Sequence, residues 1–108
     1  MTQQIEVRDT RKSGWFSADS TLIRRDGAVL GAYGIAVYCA IASYADNDDQ
    51  DAFPAIKTIA VRLGCSENTV RKAIKKLVTH GWVRVVQRRD PENPQRYLSN
   101  IYYLLPTP

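Results

Sequence analysis

Between positions 56 and 77 apolar residues recur at three- and four-residue steps in two runs, and Gly64, Cys65 and Ser66 fall in the break between them. The first run puts Ile56, Ile59, Ala60 and Leu63 on one side of a helix. Gly64 then serves as its stop, because a left-handed residue costs glycine little. Ser66 is a good N-cap for a second helix, and Glu67 lies in its first turn, where the helix dipole favours an acid. The second run predicts a helix to about His80, ended by Gly81. At ~100° per residue, Val70, Ala73, Ile74 and Leu77 form one narrow stripe. Asn68, Lys72, Lys75 and Thr79 lie opposite, flanked by Thr69, Arg71 and Lys76. Ala60 is small enough to let the two helices cross closely.

The rest of the chain is read in the same way. Residues 1–13 are polar and mixed in charge, which predicts a flexible arm. Trp15, Phe16, Leu22 and Ile23 follow without a helical stripe and are expected to anchor an extended segment across the domain, with residues 24–27 as a turn. From about 32 to 45, Ile35, Tyr38, Cys39, Ile41, Ala42 and Ala45 keep three- and four-residue steps and predict a buried helix. The acidic run Asp46-Asn47-Asp48-Asp49-Gln50-Asp51 lacks the glycine and closing glutamate of a calcium loop, so it reads as solvated. Phe53-Pro54 closes that loop, near where a helix can begin. Residues 82–87 (WVRVVQ) and 97–105 (YLSNIYYLL) suit two strands. Arg88, Arg89 and Arg96 stand at the shoulders of the proline-bearing loop between them.

Charge sharpens this picture. Residues 66–108 carry eight Lys/Arg against three acids, a net +5, while residues 1–65 net −1. That asymmetry points to a polyanion-facing half. A basic helix with an apolar root, held out by a tight turn, suits the major groove of DNA. Few acids lie at four-residue spacing to neutralise its cations. Asn68 and Arg71 suit base edges, since an amide matches adenine and a guanidinium matches guanine. Thr69, Lys72, Lys75 and Lys76 complete that surface, with the lysines on phosphates. Arg88, Arg89 and Arg96 form a second contact surface along a backbone or in the minor groove, or else blunt an exposed hairpin edge.

The order helix, helix, turn, helix, strand, basic loop, strand resembles a winged helix-turn-helix domain. The stretches FPAIKTIA (53–60), LGCS (63–66), TVRKAIKKL (69–77), GWV (81–83) and SNIYYL (99–104) carry the resemblance. Trp82 departs from it, standing where the family usually has an aliphatic residue, and should enlarge the core. More narrowly, the tyrosine-bearing first helix, Phe53-Pro54 and the SNIYYL ending resemble the domains of phage and plasmid replication proteins, including DnaD-type primosome proteins. Such initiators usually carry a further domain. The resemblance implies an α+β fold with a three-helix core, a C-terminal β-hairpin wing and an extended N-terminal segment. The domain would span residues 14–105, followed by a tail at 106–108. It also implies double-stranded DNA as partner, in replication initiation or in transcription regulation.

Other chemistry is sparse. His80, the single histidine, sits at a helix C-terminus, where its charge complements the dipole. No nucleophile–base–acid set, metal cluster or glycine-rich phosphate loop is visible, so neither enzyme activity nor a cofactor is expected. Tyr33, Tyr38, Tyr44, Tyr102 and Tyr103 read as packing, and Tyr97 could reach DNA from the wing. Cys39 and Cys65 read as reduced core thiols. No run approaches the ~20 apolar residues of a membrane span, and the N-terminus is not a signal peptide, which together suggest a cytoplasmic, nucleoid-associated protein. An adaptor role within a larger complex stays open, with the Trp15-Phe16 pair as a surface for a homodimer or another protein.

Overall fold

The structure, a computed structural model, describes residues 6–12, 14, 16–45, 55–96, 98 and 100–108. The acidic run at 46–51, Phe53-Pro54, Trp15, Tyr97 and Ser99 lie outside the described residues. Four helices come first: α1 (Thr21–Arg24), α2 (Gly27–Ala45), α3 (Ile56–Leu63) and α4 (Glu67–Thr79). Two strands follow, β1 (Val83–Val86) and β2 (Ile101–Leu104), paired antiparallel with Val83 opposite Leu104 and Val86 opposite Ile101.

The apolar stripes foreseen in α3 and α4 are the ones that fold inward. Ile59 and Ala60 of α3 and Val70, Ala73 and Leu77 of α4 are buried, with Ile56, Leu63 and Ile74 packed at their margin. They meet Leu30, Val37, Tyr38, Ile41 and Ala42 of α2, which packs against α1, α3 and α4. Gly64 ends α3 in the left-handed region at φ 67° and ψ 37°. There its N–H and that of Cys65 donate back to Val61 O and Ala60 O. Nothing lies within 4 Å of where a Gly64 Cβ would stand. Gly64→Ala therefore meets backbone strain alone, of about 1–2 kcal/mol, and thermal denaturation should show a matching fall in Tm.

The N-terminal part departs from the extended segment expected from the sequence. Residues 21–24 form one helical turn, with Leu22 buried and Ile23 61% exposed. The turn is narrower than expected, because Gly27 already begins α2. Phe16 is half-buried against the core, as an anchor should be, and this leaves it less available as part of a surface for a partner. α2 thus starts earlier than residue 32, and it is broken at Gly31, whose φ of 74° and ψ of 172° are not helical. The break brings Leu30 under Gly34, where an added Cβ would stand 3.0 Å from the Leu30 Cβ. Large apolar residues are the usual signal of a helix, and the Gly/Ala-rich start of α2 offers few.

The same composition corrects the reading on membrane spans. The 18 residues Gly27–Tyr44 are long and apolar enough to cross a membrane by length and composition alone. They are rich in Gly, Ala and Tyr rather than in large aliphatic residues, and contain no charge. In this fold their buried side chains form the centre of the core.

Trp82 is not the first strand residue. Its N–H donates to Leu77 O at 2.9 Å, closing the end of α4, while its carbonyl accepts from Leu105 N at 3.1 Å. Its ring is fully buried and its Nε1 donates to Asp26 Oδ2 at 2.8 Å. Beyond β2 the last residues strap back over the N-terminal turn. Thr107 Oγ1 donates to Asp19 Oδ2, and Arg25 donates to Pro108 O at 2.8 Å. Cys39 and Cys65 are free and half-buried, and burial pushes the Cys39 thiol pKa up.

Candidate nucleic-acid interface

α4 presents its polar face because the turn before it is well made. Ser66 Oγ accepts from Thr69 N at 3.1 Å, as the N-cap pattern predicts. The same hydroxyl lies 2.9 Å from Thr69 Oγ1. Thr69 is therefore half-buried and engaged in the cap, not aligned with the outermost face. Asn68, Arg71, Lys72, Lys75 and Lys76 are all exposed. Thr79, also exposed, donates its hydroxyl to Lys75 O at 2.8 Å, so that hydroxyl is engaged with its own helix.

One electrostatic expectation needs correction. Glu67 stands four residues before Arg71, and the two side chains approach to 4.0 Å. Both are about half exposed, so the pair is worth little to stability. Its effect is to orient Arg71 beside an acid. Among the described residues no acid pairs with Lys72, Lys75 or Lys76.

The flank of α4 that faces α2 is shaped as well. Thr69, Lys72, Ala73 and Lys76 line a groove of about 180 Å³ with Leu30, Tyr33 and Gly34 of α2. Tyr33 is 54% exposed, so it is not the packing residue expected from its place in the helix. Tyr103 is also exposed, lying under Arg84, whose guanidinium carbon is 4.6 Å from the ring centroid. Tyr38 is buried, and Tyr44 and Tyr102 are half-buried, as packing residues should be.

The wing is a turn-rich loop rather than an extension of the strands. Asp90 Oδ1 accepts from Glu92 N at 2.9 Å and Asn93 Oδ1 from Gln95 N at 3.3 Å, two side-chain turns in succession. Asp90 N donates to Arg96 O at 3.0 Å and Leu98 N to Arg88 O at 2.9 Å, which closes the loop. Arg96 lies 4.0 Å from the Asp90 carboxylate, and Arg89 donates to Pro94 O at 3.5 Å. Arg89 and Arg96 are exposed, while Arg88 is half-buried. Within the loop Asp90 and Glu92 offset two of the three arginines, so α4 is the more strongly cationic surface.

Three core helices crossing over a glycine turn, with a C-terminal antiparallel hairpin, define a winged helix-turn-helix, an architecture that binds DNA. Residues 30–83 match the family model described as a helix-turn-helix domain, and the chain belongs to that family. The match runs from the break in α2 to the first residue of β1, so the wing lies beyond it. No curated protein matches the chain. No solved structure matches it either.

Proposed function

We propose that this protein is a sequence-preferring double-stranded DNA-binding protein that serves as a replication-initiation module of the phage or plasmid type. The observation that carries the DNA reading is the exposed side of α4, a capped helix that carries Asn68 and three lysines without an acidic partner among the described residues. In the major groove Asn68 and Arg71 read base edges while the lysines and the wing arginines hold phosphates. In this reading the protein works in the cytoplasm at the nucleoid, needs no cofactor and carries no enzyme activity. The replication role is supported by the likeness of Phe53-Pro54 and the SNIYYL ending to replication proteins.

Selection from a random duplex pool tests both parts. Tandem copies of one short site support origin binding, whereas a palindrome supports a dimeric transcription regulator, since half-site symmetry mirrors protein symmetry. A pool that shows no enrichment rejects sequence preference. Arg71→Ala or Asn68→Ala should relax the selected site at one position by about 1–3 kcal/mol of discrimination. An unchanged site in both variants removes these residues from base reading.

A further inference from the structure

The groove between α2 and α4 has a composition that the packing of two core helices does not require. Leu30 and Ala73 line it together with Gly34, and Lys72 and Lys76, one turn apart on α4, and the exposed Tyr33 of α2 line it as well. The Thr69 hydroxyl beside them is already engaged with Ser66. The lining residues that can still donate are therefore two lysines and one tyrosine, and Lys72 and Lys76 have no acidic partner among the described residues. Such a set complements a single tetrahedral anion.

The geometry of a helix in DNA says which anion. A helix with its side chains is about 10–12 Å across, and the major groove is about 12 Å wide. A helix whose outer line enters the groove therefore meets a phosphate backbone on each flank. Asn68 and Lys75 lie on the outer line of α4, while Lys72 and Lys76 turn toward α2. The structure assigns this groove as a clamp for one backbone phosphate of duplex DNA, with Tyr33 as a neutral donor supplied by the helix outside the helix-turn-helix pair. The assignment rests on the DNA reading above and adds to it a contact that α4 alone does not make.

Charge separates the roles of the donors. Counterion release depends on cations, so Lys76→Ala should lower affinity and reduce the slope of log K against log salt by about 0.9. Tyr33→Phe removes a neutral donor to a charged acceptor. It should weaken binding about tenfold with the slope unchanged, equally on a selected site and on random duplex. The double variant should lose less than the product of the single losses, because the residues share one phosphate. Titrations of a fluorescent duplex at several salt concentrations read all three effects, and a thermal melt checks that each variant folds. If Tyr33→Phe binds like the parent while Lys75→Ala still weakens binding, the clamp is wrong and the DNA reading stands. If the parent binds no duplex at low salt, both fail.

Discussion

Replacing Trp82 with alanine is expected to destabilise the protein by about 3–5 kcal/mol, the largest loss of stability from any single side chain here. The ring is fully buried, stands edge-on to Tyr38 with centroids 6.1 Å apart, and has the Arg25 guanidinium 5.9 Å from its centroid. Truncation leaves a cavity at the point where the end of α4, the hairpin, α2 and the α1–α2 turn meet. Domains of this kind have about 5–15 kcal/mol in all, so the melting temperature should fall by well over 10 °C (roughly 4–8 °C per kcal/mol).

Trp82→Phe separates the indole hydrogen bond from the packing. Arg25 and then the indole N–H hold the Asp26 carboxyl below the usual carboxylate range, against partial desolvation. A folded pKa below the unfolded value of about 3.9 gives stability that is fully present above the unfolded pKa. That contribution is lost as pH falls through the folded pKa. Asp19, held low by Thr107 and Thr21, acts with the same sign. In Trp82→Phe the Asp26 pKa moves back toward its ordinary value, so its contribution shrinks and the decline of Tm below about pH 4 becomes shallower. An identical acid decline in parent and variant would show that the Trp82–Asp26 bond contributes nothing to this linkage.

The contrast between Gly64 and Asp26 explains what could be read from the sequence. The turn, the Ser66 cap and the inward stripes of α3 and α4 depend on residues within four positions of one another, so their pattern is written locally. The Asp26–Trp82 bond joins positions 56 residues apart, and neither residue alone announces it. α2 was visible only from its middle, because its first turns are small residues around a broken backbone at Gly31. Tyr33 shared the step of a buried helix, yet the crossing with α4 leaves it exposed in the lining of the groove. The turns at Asp90 and Asn93, by contrast, were legible from their turn-forming residues, whereas the Glu67–Arg71 pair was missed although its four-residue spacing is local. In the wing the three arginines are evident, while their partial neutralisation depends on how the loop folds.

Removing Lys72, Lys75 and Lys76 together by alanine substitution is expected to have the largest effect on function. Each cation at the contact surface contributes about 0.9 to the slope of log K against log salt, so the triple variant should flatten the slope by about 2.7. At about 0.1 M salt that corresponds to several hundredfold weaker binding, on specific and random duplex alike. All three side chains are exposed and outside the core, so the melting temperature should change little. The comparison that decides between docking and general attraction is a second triple, Arg8, Arg11 and Lys12 to alanine, with the same change in net charge. Arg8 and Arg11 are paired with Glu6 and Asp9 in the exposed N-terminal arm. Net charge acts mainly on encounter rate and falls off within a Debye length of about 10 Å at that salt. A helix seated in the groove therefore predicts a large loss for the α4 triple and a small one for the arm. Equal losses from both would mean that the protein is held by its overall charge, and α4 would lose its place as the docking element.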